Sequence, residues 1–214
     1  MYGLIYKDLL TTYKKHSKID VFVNLGVLAA LLALLRGMGA IIASCSFCPV
    51  MVSAILLTLT IADEECSWDR FALTLPLGKR RIVTGRYCFC GLAVAGCFLF
   101  AVALNLAAAL LWREASLGVH LGFCLLGLGI SILFASLLIP ASYRFGQNGS
   151  ALVLLLMLVF AVGVAVLLGK LGVDILAPTA AQLAWIAAVS AVLLAAGVYA
   201  SLRLSIAIYS KKHS

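Results

Sequence analysis

Residues Leu117 to Pro140 read LGVHLGFCLLGLGISILFASLLIP, a run of 24 residues without one Lys, Arg, Asp or Glu. As a helix it rises about 36 Å at about 1.5 Å per residue, enough to cross a hydrocarbon core about 30 Å thick. A soluble protein could hide such a segment only under polar layers, and this chain has too little polar surface to build them. Of its 214 residues, 64% are hydrophobic and 11% charged, where a soluble domain carries about a quarter charged residues. The mean hydropathy is +1.16. A transmembrane barrel would show segments of about ten residues alternating in and out, whereas the runs here are long and rich in Leu, Ala and Gly. Lipid is the solvent for most of this chain. The fold class is all-α integral membrane, with residues 1–214 forming one domain.

Working outward with the same ruler predicts five more spans, roughly Ile19–Leu35, Ser44–Ala62, Ile82–Trp112, Ala151–Gly169 and Ala180–Leu204. The total is six transmembrane helices. The third is over-long and either tilts or projects from the bilayer at its basic start. Orientation follows from the excess of Lys and Arg in cytoplasmic loops. With the N-terminus inside, the inner set is Lys7, Lys14, Lys15, Lys18, Arg70, Lys79, Arg80, Arg81, Arg86, Arg144, Arg203, Lys211 and Lys212, and the outer set is Arg36, Arg113 and Lys170. Thirteen against three places both termini in the cytoplasm. The net charge of +8 is thus a topology signal, gathered at span ends rather than in aromatic-interleaved patches that would bind nucleic acid. The first 18 residues lack the pattern of a cleavable signal, so the first apolar segment is read as a retained span.

Two hydrophilic stretches have patterns of their own. In residues 1–18, Tyr2, Ile5, Tyr6, Leu9, Leu10 and Tyr13 recur at three- and four-residue spacing. Gly3, Lys7, Asp8, Thr11, Lys14 and Lys15 fill the other side. This predicts an interfacial amphipathic helix, aromatic and aliphatic residues toward acyl chains and lysines toward phosphates. The second stretch is the inner loop 63–81, the longest hydrophilic segment, lying between spans two and three. It opens on Asp63, Glu64 and Glu65, and then Trp68, Phe71, Ala72 and Leu75 fall at helical spacing. Pro76 ends that helix, because a residue preceding proline resists the helical region. Lys79, Arg80 and Arg81 anchor the next span at the lipid phosphates. Aromatic side chains ringed by charge, here Trp68 and Phe71 among Asp69 and Arg70, are what a protein-docking knob needs.

Catalytic and cofactor chemistry is thinly represented. The chain has no G-x-x-x-x-G-K-[ST] phosphate loop and no H-E-x-x-H. The three histidines, His16, His120 and His213, are far apart. No carboxylate falls at mid-depth in a span, where an ion-coupled carrier would place one. Asn24, Asn105 and Gln182 are amides in or near spans, suited to bonding a neighbouring helix. Gly118 with Gly122, and Ala187, Ala191 and Ala195, form small-residue stripes suited to close helix packing. Cys88, Cys90, Cys97 and Cys124 lie in apolar runs and act as small hydrophobes. Cys45-x-x-Cys48 lacks the two further ligands a metal site requires.

The run from Asp63 to Tyr87 resembles the signature of small bacterial ABC transporter permeases of the exporter type, particularly the permease subunits of phenol-soluble modulin exporters. The residues that carry the resemblance are Asp63, Glu64, Glu65, Trp68, Phe71, Leu75-Pro76, Lys79-Arg80-Arg81, Ile82-Val83 and Arg86-Tyr87, together with Leu4-Ile5 and Lys7-Asp8-Leu9 near the start. Over the rest of the chain the match is one of length and span layout. The Cys-rich third span and Cys45-x-x-Cys48 depart from that family's pattern.

The resemblance implies a half-transporter in the bacterial cytoplasmic membrane, exporting amphipathic or cytolytic peptides. It would bind no cofactor itself; a separate cytosolic ABC ATPase would bind ATP and Mg. A second permease copy, identical or related, would complete the assembly. Residues 1–18 would be the elbow helix, contacting lipid through Tyr2, Ile5, Tyr6, Lys7, Leu9, Tyr13, Lys14 and Lys15, with Lys79, Arg80 and Arg81 at the same interface. The loop would carry the coupling helix, with Asp63, Glu64, Glu65, Trp68, Asp69, Arg70 and Phe71 facing the ATPase. Residues 19–62 hold spans one and two, and 82–214 hold spans three to six and a basic tail. Two rival classes stand beside this reading. A membrane-embedded peptide-processing enzyme would need Ser131, His120 or the Cys45–Cys48 pair. An accessory or immunity protein would need no ATPase.

Overall fold

The structure is a computed structural model and describes residues 2–15, 38–75, 78–112, 117–170 and 180–212. The described residues form six helices: α1 (Tyr2–Lys15), α2 (Met38–Glu65), α3 (Trp68–Thr74), α4 (Lys79–Trp112), α5 (Leu117–Lys170) and α6 (Ala180–Lys212). There is no strand among them, so the described residues are all-α. Four stretches of the described residues are long and apolar enough to cross a membrane: Ser46–Glu65, Lys79–Ala107, His120–Leu156 and Ala191–Lys212. The expected first span, Ile19–Leu35, lies outside the described residues.

α2 contains Pro49, which cannot donate a backbone hydrogen bond, and the Ser53 hydroxyl folds back to donate to the Pro49 carbonyl at 2.7 Å. α2 closes in a turn, Cys66 N–H donating to the Ala62 carbonyl and Ser67 N–H to the Glu64 carbonyl, both at 3.1 Å. Ser67 adopts the left-handed conformation (φ 48, ψ 40) and its carbonyl then starts α3. α3 stops at Leu75, which is extended (φ −76, ψ 145), the conformation a following proline imposes.

The sequence places the end of the fourth span at Pro140, but α5 runs helical through it and breaks at Gly146 (φ 67, ψ −148). Proline deprives the carbonyl four residues earlier of its helical donor. Here that carbonyl, on Ser136, accepts from the Ser201 hydroxyl of α6. Ser201 uses its only proton there, so it accepts from Tyr87 of α4 (2.6 Å), and Tyr87 in turn accepts from Ser205 (2.8 Å). A partner on another helix thus lets the helix tolerate its proline.

The core lies where α2, α4 and α5 meet. Cys48, Val52 and Leu56 of α2, Cys90 and Val94 of α4, and Ala135, Leu138 and Ile139 of α5 are all buried together. Outward-facing residues are as apolar as the core: Leu99 is 68% exposed, Leu155 63% and Val192 69%. Exposed leucine in that density is uncommon on a soluble monomer and is what a lipid-solvated surface requires. α1 lies across α4 and α2, and Leu4 packs against Gly85. A Cβ there would stand 3.2 Å from Leu4 Cδ1 and 3.3 Å from Leu4 Cβ.

Candidate functional site: the charged end of the bundle

α1, the end of α2, α3, the start of α4, the break in α5 and the end of α6 converge at one end of the bundle. α3 is anchored there by Ala72, fully buried against Ile82, Val83 and Tyr209, with Trp68, Tyr143 and Ile206 packed around them. Its outer side presents Arg70 and Phe71, the latter 55% exposed, and the Trp68 and Phe71 rings lie 5.5 Å apart. A second core cluster, built mostly from α4, α5 and α6, thus seats this seven-residue helix.

Beneath α3 lies a quartet of charges. Arg86 of α4 pairs with Asp8 of α1 (3.3 Å) and with Asp63 of α2, while Lys7 pairs with Asp8 (3.1 Å) and with Asp63. Two cations and two carboxylates close a neutral ring joining three helices. The side chains are little exposed: 7% for Asp8, 13% for Arg86, 15% for Asp63 and 25% for Lys7. Tyr143 of α5 lines the same small cavity as Arg86, Asp8 and Lys7. Lys7 Nζ also stands 4.1 Å from the centre of the Trp68 ring, a cation–π contact that ties the quartet to α3. Burial pushes the Lys7 ammonium below its ordinary value, with Arg86 adding to the effect and Asp8 opposing it.

The residues predicted to face an ATPase divide under this geometry. Asp63 belongs to the quartet, Glu65 pairs with Lys15 (2.5 Å), and Asp69 pairs with Lys212 (2.9 Å). Glu64 accepts a hydrogen bond from the Gln147 backbone (2.7 Å). Trp68 is half-buried, which leaves Arg70 and Phe71 turned outward. The predicted interface set divides as well. Tyr2, Tyr6, Leu9 and Tyr13 are exposed along one side of α1, at 92%, 64%, 57% and 75%, while Ile5 is half-buried. Lys14, Arg80 and Arg81 are exposed and Lys79 half-buried, but Lys7 points into the quartet.

Arg86, Asp8, Tyr143 and the Gly146 break were not singled out in the sequence as parts of a site. One signal was available for Arg86, an ionisable residue just inside an apolar span, which is expensive unless it is paired or functional. Asp8 carried no comparable mark. Ser131 and His120, two of the residues a peptide-processing enzyme would need, are not brought together. Ser131 and His120 stand eleven residues apart on α5, about 16 Å along its axis. Ser131 donates to the Gly127 carbonyl (2.6 Å), and His120 Nδ1 lies 3.2 Å from Asn105 Oδ1.

Comparison with known protein families gives a match over nearly the whole chain. The family model described as "ABC-2 family transporter protein" matches residues 3–210. The chain belongs to the ABC-2 transporter family. It is the membrane-spanning permease of an ABC transporter, a multi-pass transport subunit. No curated protein and no solved structure matches it. The permease match spans the elements of the charged end from Gly3 to Ser210, so the quartet and α3 are inside the family domain rather than appended to it.

Proposed function

We propose that this permease is the membrane half of an ATP-driven exporter of amphipathic peptides, with α3 as the coupling helix that a separate cytosolic ATPase drives. The observation that carries the reading is the form of α3. Ala72 is completely buried beneath it while Phe71 and Arg70 stand outward, so a partner gripping Phe71 would move a helix firmly seated on the spans. In this reading the chain has six spans, counting Ile19–Leu35 and dividing α5 at Gly146. The charged end is cytoplasmic, in keeping with the thirteen basic residues assigned to it and with the positive-inside rule. α1 is the elbow helix, its tyrosines and leucines in the interfacial zone of the bilayer. Two permeases, identical or related, flank a shared path, and ATP with Mg is bound by two ATPases. The peptide class rests on the resemblance of residues Asp63 to Tyr87 to phenol-soluble modulin exporters.

The test is co-purification with a co-expressed cytosolic ABC ATPase, using Phe71→Glu. A charge in place of a central aromatic anchor is expected to cost about 2 kcal/mol or more of binding, a loss of about thirtyfold in affinity. Phe145→Glu, at another exposed aromatic of the same end, should bind as the parent does. Equal binding by the parent and Phe71→Glu would defeat the assignment of α3.

A further inference from the structure

One side chain joins the end of α2 to the segment that follows the break in α5. At Gly146 the backbone has φ 67 and ψ −148, a region essentially restricted to glycine. A helix beginning after such a break starts with backbone N–H groups that have no partner within the helix. Glu64 Oε1 accepts from one of them, Gln147 N–H, at 2.7 Å across 83 positions of sequence. The same oxygen occupies the space a Cβ on residue 146 would need. Glycine at 146 therefore permits both the break and the approach of the carboxylate. The pairing is electrostatically favourable too, since a carboxylate meets the positive end of a helix dipole. Ser150 offers no substitute cap, because its hydroxyl turns back onto the Gly146 carbonyl at 3.1 Å.

Glu64 is also the root of α3. Its carbonyl accepts from Ser67 N–H, and the Ser67 carbonyl accepts from Arg70 N–H, both at 3.1 Å. No loose linker separates the capping carboxylate from the short helix. We propose that Glu64 is a positioning residue that clamps the start of the 147–170 helix to α3, so that the two move as one body. Displacement of α3 then reaches the fifth span through a direct polar link, beside the apolar packing of Val153 and Leu154 against the α2 core. The claim that an ATPase supplies the displacement rests on the function proposed above; the clamp does not.

The experiment uses the full chain in lipid nanodiscs, with spin labels introduced through encoded non-natural residues at exposed Thr74 and Leu152. Distance distributions between the labels are compared for the parent, Glu64→Ala, Glu64→Gln and Gly146→Ala. The parent should give one narrow distribution, and Glu64→Ala a broadened or double one. Glu64→Gln keeps an acceptor oxygen and should restore most of the narrow population. Gly146→Ala should match Glu64→Ala, and the double variant should be no broader than either single. If Gly146→Ala does not fold, the two Glu64 variants decide alone. A Glu64→Ala distribution superimposable on the parent's would overturn the clamp. With the ATPase co-purified, the ratio of peptide-stimulated to basal hydrolysis should fall about fivefold or more in Glu64→Ala and recover in Glu64→Gln. An unchanged ratio would overturn the positioning role even if the distances change. If the parent chain associates with no ATPase, the proposed function fails, while the label distances still decide the clamp.

Discussion

Replacing Arg86 by Met tests the charge quartet most directly. Methionine keeps much of the length and apolar volume of the arginine stem and removes only the guanidinium. Arg86 is the contact both carboxylates share with α4, and without it Asp8 and Asp63 face each other with Lys7 alone between them. Removing one partner of a buried ion pair costs about 3–5 kcal/mol, mostly because the remaining charge stays desolvated. The four side chains are 7–25% exposed, so water relieves part of that cost and the expected loss is about 3 kcal/mol. For a chain of 150–250 residues this lowers the melting temperature by roughly 6–12 °C. The assay is thermal unfolding of the purified protein in detergent, run as a double-mutant cycle with Asp8→Asn. The double variant removes one charge of each sign and restores neutrality, so it should be more stable than the sum of the single losses by about 1–2 kcal/mol. Losses that add to within about 0.5 kcal/mol would mean the two residues do not interact, and the ring would be refuted.

Two further outcomes follow from the geometry. Ser201→Ala leaves the Ser136 carbonyl without its donor and should cost about 1–3 kcal/mol; in a Pro140→Ala background, where the substituted residue again supplies a backbone N–H to that carbonyl, the same change should cost much less, and equal cost in both backgrounds would contradict the explanation. Folding lowers the Lys7 value, so between that lowered value and the ordinary 10.5 the unfolded chain binds more protons than the folded one. Stability contributed by this group therefore rises with pH across that window, and melting scans taken within it should show a slope that disappears in Lys7→Met.

Much is legible in the sequence itself. Composition and the uncharged runs dictate helices in lipid, since a bilayer offers backbone groups no partner but their own helix. Pro76 marks the end of α3, because its effect on Leu75 is local. Pro140 misleads for the opposite reason. Its local cost is the same, but Ser201, 61 positions later in sequence, satisfies the carbonyl it strands. The aromatic side of α1 was readable from its spacing, and Tyr2, Tyr6, Leu9 and Tyr13 do stand outward. The destination of its polar side was not readable, because a lysine near an interface suits a phosphate and a carboxylate equally well.

Sequence alone therefore determines the solvent of each segment, as hydropathy and helix length are additive along the chain. Only the tertiary structure decides which charge meets which. Asp8, Asp63 and Arg86 are distant in sequence and become one ring because α1, α2 and α4 meet at one end. Glu64 and Gln147 likewise find each other across 83 residues because a glycine leaves the carboxylate room. The run from Leu117 to Pro140 establishes that the chain lives in a membrane. How its helices are fastened to one another depends on close-range electrostatics and the space left by missing side chains, which no periodicity records.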